Sequence, residues 1–350
     1  MRLSGVSLFA SAGLAEMYLS DCGIDIVVAN ELLEQRAKLY RQHHKNSKMI
    51  CGNILDDEIF KEILKHTPKQ LDFLLASPPC QGMSVAGKNR NMQKMLDDKR
   101  NFLIFRVIEF IKLTNPKYIL IENVPAFLKI KFIHNNQTKS IVDILKDTFK
   151  TYNVEFGIYD SADYGVGQTR KRAIVKMYQK ELIWKKPNKK QRLSVKDVIG
   201  SLPSLEAGES SNLKWHFARK HTKAHIECMR HTKSGDTAFN NDKFYPRNKG
   251  KRIKAYNTTY RRIKWDEPAP TITIRNDAIS SQNNVHPGRL KSDGTYSDAR
   301  VLTPLELMLL SSLPTDWNIP EDTPELLIRR CIGECIPPLL VKEIVLGIQA

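Results

Sequence analysis

Short apolar runs and amphipathic stretches alternate along the first half of the chain. The run at 5–10 predicts a buried strand, small residues at 11–13 predict a turn, and the spacing beyond predicts a helix over 14–19. The same alternation predicts strands at 24–29, 49–51, 71–76 and 118–121, interleaved with helices over 31–43, 56–65, 101–113 and 140–150. Strands at 154–159 and 173–178 complete the series. Strands alternating with helices imply a mostly parallel sheet covered on both faces, a doubly wound α/β domain. In such a sheet, ligands bind outside the carboxyl ends of the strands, where the strand order switches.

Candidate chemistry gathers at those predicted ends. Phe9, Ala10, Ser11, Ala12 and Gly13 end the first strand with small residues that let backbone N–H groups approach a ligand. Glu31, just past the second strand, is placed to accept hydrogen bonds from a ribose diol, and Asn53, after the third, can meet a base edge. No G-x-G-x-x-G is present, so a nucleoside cofactor without a pyrophosphate fits better than a dinucleotide. The fourth strand runs into Ser77-Pro78-Pro79-Cys80-Gln81-Gly82, where two prolines stiffen the backbone that carries a thiol, a candidate nucleophile. Glu122-Asn123-Val124 ends a further strand and brings a carboxyl to the same pocket. Gln168-Thr169-Arg170-Lys171-Arg172 opens the last, and strand alternation sends Arg170 and Arg172 to the same side, suited to a carbonyl oxygen, a phosphate or a carboxylate.

In order and context these residues resemble the C5-cytosine DNA methyltransferase family. The matching pieces are Phe9 to Gly13, Asn30-Glu31, Pro78-Pro79-Cys80-Gln81, Glu122-Asn123-Val124, Tyr164-Gly165 with Gln168-x-Arg170-x-Arg172, Arg300-x-Leu302-Thr303-Pro304-x-Glu306, and Gly333 through Pro337. This sequence departs from the family pattern at Ser11 and Ala12 in the first loop, at Asn53 where Asp is commoner, and at Glu334 where Asn is usual. The resemblance implies a Rossmann-like fold and S-adenosyl-L-methionine as cofactor, held by Phe9, Ala10, Ser11, Ala12, Gly13, Leu14, Glu31, Asn53, Ile54, Pro78 and Leu103. It implies that Cys80 attacks carbon 6 of a flipped cytosine, that Glu122 serves ring N3, and that Arg172, with Arg170 beside it, holds the O2 oxygen. The basic loop after the thiol is then a lid on double-stranded DNA, with Gln81, Ser84, Lys88 and Arg90 as contacts. The expected role is the modification half of a restriction system, its cognate endonuclease acting separately. Transfer RNA methylation and a catalytically silent DNA-binding relative are the alternatives.

Composition narrows the class. The 350 residues are 41% hydrophobic, enough for sizeable cores, and 55 Lys+Arg against 38 Asp+Glu give a net charge of +17, which favours a polyanionic partner. No apolar run reaches the roughly 18 residues of a spanning helix, so a cytoplasmic protein with no membrane partner is expected. Six dispersed cysteines fit a reducing compartment, and the C-x3-C at Cys331 and Cys335 lacks a second pair, so no metal is expected. After Tyr178 the composition shifts. Nine Lys/Arg and no acid fall between 243 and 264, interleaved with Phe244, Tyr245, Tyr256 and Tyr260, and Lys251, Arg252 and Arg261 are expected DNA contacts. His216, His221, His225 and His231 are expected to face DNA or solvent. Thr303, Pro304 and Glu306 predict a capped helix to about Ser312, and a final helix is predicted over 339–348. The expected organisation is a catalytic domain of 1–180 plus 325–350, with a smaller basic target-recognition domain of 181–324, acting as a monomer.

Overall fold

The computed structural model describes residues 2–79, 103–134, 137–254 and 256–349. Of the candidate residues, Cys80, Gln81, Ser84, Lys88 and Arg90 lie outside the described residues. Among the described residues up to Gln179 there are nine strands: β1 (Leu3–Leu8), β2 (Ile24–Glu31), β3 (Lys48–Cys51), β4 (Phe73–Ala76), β5 (Tyr118–Asn123), β6 (Lys131–His134), β7 (Gln137–Ser140), β8 (Tyr152–Asp160) and β9 (Lys171–Gln179). Seven of them make one sheet in the order β3-β2-β1-β4-β5-β9-β8. Strands β1 to β5 run parallel, whereas β9 is antiparallel to β5 and β8 to β9. The order turns back between β1 and β4, which is the switch point of the sheet. Strands β6 and β7 form a separate antiparallel hairpin that periodicity did not predict.

By internal packing the chain forms two compact units. The first comprises Met1–Asp160, Lys171–Asn188 and Leu340–Ala350, the second Ser161–Arg170 and Lys189–Leu339. In the first, helix α1 (Glu34–His43) lays Ala37 and Tyr40 against Ala29 and Met49 on one face of the sheet. On the other face Val6, Leu8, Leu74, Ala76, Ile119 and Ile121 pack on α2 (Asp57–His66), α3 (Leu103–Thr114) and α4 (Ile141–Thr148). Trp184 meets Phe73, Tyr118 and Tyr178 edge-on, and its indole N–H donates to the Ile344 carbonyl at 2.8 Å, so the last residues of the chain belong to this core.

The helix predicted over 14–19 is instead a series of turns ending in the 3-10 turn Ser20–Cys22. Its bonds, Leu19 N–H to Glu16 and Cys22 N–H to Leu19, span three residues. Left-handed glycines bound the segment, Gly13 at φ 75° and Gly23 at φ 78°, and the buried Glu16 side chain is drawn to Ser7, so no room is left for a regular helix.

The second unit is mostly irregular and is organised around buried charge. Arg300 is fully buried and donates to both oxygens of Glu306, at 2.8 and 2.9 Å, to Asp298 at 2.9 Å and to the Leu205 carbonyl at 2.7 Å. Asp298 also accepts from Ser204 and Ser297, at 2.6 Å each. Arg262, likewise fully buried, donates to the carbonyls of Met229, His286, Ser297 and Asp298. Thr303 and Glu306 form the predicted capping box, opening the helix Pro304–Leu310. His216, expected at a surface, is 1% exposed: its Nε2 donates to the Pro203 carbonyl at 3.0 Å and its Nδ1 lies 3.0 Å from the Thr303 hydroxyl, so both ring nitrogens find partners inside the unit.

Burial alone would raise the Glu306 carboxyl, yet Arg300 holds it down to about 2. Removing one member of such a network leaves buried charge uncompensated. Arg300→Met is therefore expected to destabilise the second unit by about 3–5 kcal/mol. Denaturant unfolding checks this: an unchanged midpoint would show that the network is dispensable.

Candidate active site

The carboxyl ends of β1, β4 and β5 lie side by side, with Leu8 paired to Ala76 and Ala76 to Ile121. Past those ends the chain is cross-linked. The Ser77 N–H donates to the Leu8 carbonyl at 3.3 Å and its hydroxyl to the Phe9 carbonyl at 3.2 Å. The Asn123 amide donates to the Pro78 carbonyl at 3.0 Å, while its oxygen accepts from the Val124 N–H at 2.8 Å. Ser77 is thus tied to the end of β1 and Pro78 to the end of β5, and Cys80 follows two residues later in the sequence.

Because β9 is antiparallel to β5, it begins where β5 ends. Arg172, the second residue of β9, consequently reaches Glu122, its Nε 2.7 Å from Oε1, and each side chain is 12% exposed. A second Arg172 N–H donates to the Lys171 carbonyl at 2.8 Å. This pair brings together two residues singled out from sequence. Arg170 is placed differently: it is 2% exposed and donates to the backbone carbonyls of Ile272, Gly333 and Glu334, at 2.7, 2.9 and 2.9 Å. Its position precedes β9, so strand alternation with Arg172 does not apply to it.

The loop after β1 is held in an unusual backbone shape. Phe9 and Ser11 have φ of 62° and 51°, a region that costs a side-chain-bearing residue on the order of 1–3 kcal/mol. Four contacts offset this. The Ala10 N–H donates to the Asn30 carbonyl at 2.9 Å, and the Ser11 N–H donates to Glu31 Oε2 at 2.9 Å. Glu31 Oε1 accepts from the Leu33 N–H at 2.9 Å. The Gly13 carbonyl meets His44 Nε2 at 2.8 Å, and since a carbonyl can only accept, Nε2 carries the proton. Burial pushes the His44 imidazole down to about 4, so it stays neutral in this role. A Cβ at Gly13 would lie 2.4 Å from the His44 ring.

Asn53 is exposed, and its oxygen accepts from the Leu55 N–H at 3.1 Å. Ile54 is buried, its carbonyl held at 3.0 Å by Arg106 of α3, whose guanidinium lies 3.8 Å over the Phe60 ring. Leu14, Ala12 and Leu103 are core residues, while Leu32 and Leu55, beside Glu31 and Asn53, are 60% and 43% exposed. In the second unit the Arg252 guanidinium donates to the Phe239 carbonyl, and Arg261 donates to Gly235 and Asn257, so both are bound to the backbone; Lys251 is exposed.

Sequence reasoning missed His44, Arg106 and Glu16, and it quoted Asn123 within Glu122-Asn123-Val124 without giving it a role. Arg106 carries no pattern of its own. Glu16 did leave a signal, a lone acid among apolar residues at 14–19. It is 3% exposed, one oxygen accepts from the Ser7 hydroxyl, and Oε2 has no partner among the described residues.

A family model for C-5 cytosine-specific DNA methylases matches residues 3–350. The chain belongs to that family. It is 56% identical over 346 residues to the type II methyltransferase M1.HgaI of Avibacterium volantium, covering 98% of this chain and 97% of that protein. It is 28% identical to the type II methyltransferase M1.HphI of Haemophilus parahaemolyticus, covering 98% and 86%. Among solved structures, a putative DNA modification methyltransferase encoded within a prophage of E. coli superposes with a TM-score of 0.71 at 18% identity, covering 99% and 98%. A Spodoptera frugiperda DNMT2 mutant superposes with a TM-score of 0.62 at 16% identity, covering 98% and 99%. These two share the fold. Among the described residues no helix is long and apolar enough to cross a membrane.

In this methylase, burial raises the Glu16 carboxyl to about 7, with the Ser7 hydroxyl opposing and Glu31 adding to the rise. Between pH 4.5 and 7 the folded chain therefore keeps a proton that the unfolded chain releases. The stability this group contributes is complete below pH 4.5 and falls by on the order of 3 kcal/mol as pH rises through 7. Glu16→Gln should lack that fall, so its stability relative to the parent should rise from pH 5 to pH 8. Parallel pH profiles in the two proteins, read by chemical denaturation, would contradict the buried acid.

Proposed function

We propose that the protein is a DNA (cytosine-5-)-methyltransferase that uses S-adenosyl-L-methionine and serves as the modification enzyme of a restriction-modification system. The observation that carries this reading is the Glu122–Arg172 pair at 2.7 Å, at the end of the strand whose Asn123 fastens the Pro78 loop. The restriction-modification role rests on the type II methyltransferases to which the chain is similar.

The loop around Phe9 fits the cofactor. Each oxygen of Glu31 accepts one backbone N–H and retains a lone pair for a ribose hydroxyl, Gly13 leaves no side chain in the way, and exposed Leu32 and Leu55 offer apolar surface to a purine. The exposed Asn53 amide oxygen keeps a lone pair beyond the one that accepts the Leu55 N–H, which suits an adenine amino group as donor. Phe9, Ala10, Ser11, Ile54 and Pro78 supply the remaining backbone and apolar contacts. Leu14 and Leu103 support that surface from the core. When bound, S-adenosyl-L-methionine supplies an electrophilic sulfonium methyl group.

Carbon 5 of cytosine is a weak nucleophile until electrons enter the ring. The Cys80 thiolate supplies them by bonding to carbon 6 of a base flipped out of the duplex. Glu122 hydrogen-bonds ring N3 and donates a proton there as the adduct forms. Arg172 orients that carboxyl and holds the O2 oxygen as charge develops on it. Arg170 acts as a positioning residue through its three carbonyls. After methyl transfer, loss of the carbon-5 proton expels Cys80.

Incubation with cofactor and duplex DNA containing 5-fluorocytosine tests this, because fluorine blocks the last elimination. A denaturation-resistant protein–DNA adduct is expected, and it should be absent in Cys80→Ala. Turnover on transfer RNA with none on DNA would move the substrate to RNA. Glu122→Gln is expected to lower kcat by at least about 100-fold, within the 10²–10⁴ range of positioned proton transfer, with little change in cofactor Kd. Equal losses in both would overturn its assigned role.

A further inference from the structure

In the second unit, Arg247–Asn248 and Lys251–Arg252 pair as a short antiparallel hairpin, with Arg247 opposite Arg252 and Asn248 opposite Lys251. Its turn is Lys249-Gly250, both left-handed at φ 48° and 78°, the two-residue geometry that best matches the twist of paired strands. All six residues are exposed. The two faces differ in chemistry. On one, the Arg247 and Arg252 guanidiniums lie 4.5 and 4.2 Å from the Tyr245 ring centroid, and Arg252 also donates to the Phe239 carbonyl. Phe239 belongs to the core of the unit, and Ile253, next along the chain, packs against the same core. This face anchors the hairpin. The other face carries Asn248 and Lys251, with Lys249 at the tip, and these three side chains have no partner among the described residues.

Four cations within six residues, two of them directly opposite each other, repel one another. None of the four is ion-paired with an acid among the described residues, and no acid lies between 243 and 264. A polyanion removes that repulsion. A two-stranded ribbon fits the major groove, where an Asn amide can make two bonds to an adenine edge and lysines can reach phosphates.

We propose that the hairpin Arg247–Arg252 is a groove-reading ribbon for duplex DNA: Tyr245, Arg247 and Arg252 anchor it, Lys249 and Lys251 hold phosphates, and Asn248 determines sequence selectivity. This rests on the reading that the substrate is DNA. It also reverses one sequence expectation, since Arg252 becomes an anchor while Asn248, which basic composition passes over, becomes the reader.

The test uses the full chain with two readouts: the salt dependence of equilibrium binding to plasmid duplex, and the sequences methylated in genomic DNA. Lys249→Ala/Lys251→Ala is expected to flatten the slope of log K against log salt by about 2, with the same site sequences. Asn248→Ala is expected to keep the slope while relaxing discrimination at one base pair by roughly 5- to 150-fold. Tyr245→Ala should show both losses and Tyr245→Phe neither, which separates anchoring from general damage. Wild-type slope and wild-type site sequences in the lysine and asparagine variants would overturn the proposal. If the parent protein methylates no DNA, the substrate reading fails first. The slope still decides the hairpin, and a flattened slope on transfer RNA alone would reassign it to RNA.

Discussion

The site depends on one topological constraint: parallel neighbours end on the same edge of a sheet, and an antiparallel neighbour begins there. Strands β1, β4 and β5 deliver Phe9, Pro78 and Glu122 to one edge because all three run the same way. Strand β9 delivers Arg172 to that edge because it runs the other way. Two residues 50 apart in sequence thereby meet at 2.7 Å without a long loop reaching between them. Were β9 parallel, its first residues would lie at the opposite edge, and Glu122 would need another partner.

Rigidity at this edge comes from side-chain bonds to the backbone. Asn123 fastens Pro78, Ser77 fastens Phe9, and Glu31 fastens Ser11. These bonds act on a backbone that otherwise resists its shape, since Phe9 and Ser11 both sit in left-handed conformations. Ser11, at a φ of 51°, must be held there, and the Glu31 carboxylate accepting its N–H is one way to hold it. The contact also orients Glu31 itself: one carboxylate oxygen accepts from Ser11 in the loop after β1 and the other from Leu33, two residues further along the chain.

How much of this was legible in the sequence follows from which signals are periodic. The parallel strands were located to within two residues at either end, and the helices that cover them to within three. The segment 14–19 misled because its apolar spacing suits a helix while Glu16, turned inward to Ser7, forbids one. The hairpin of β6 and β7 escaped because its residues are mostly polar, and the second unit escaped because its order lies in bonds among distant residues such as Arg300, Asp298 and Leu205. Glu122, Arg172 and the loop at Phe9 were legible because motifs preserve order along the chain. Arg170 was misplaced because two arginines spaced for one strand face do not share a strand.

The basic composition carries a related lesson about arginine. Arg170, Arg262, Arg300 and Arg329 are all within 2% of complete burial and donate to backbone carbonyls or buried carboxylates. A guanidinium has five donors in a plane and is weakly hydrated, so it can replace missing backbone bonds inside an irregular unit where a lysine would lose its hydration. These arginines count toward the net charge of +17 without presenting a hydrogen-bonding face to a partner. Lys249 and Lys251, compact charges with no such internal role, remain at the surface. The charge that the hairpin leaves without an internal partner among the described residues is therefore lysine, while the arginines beside it hold its shape.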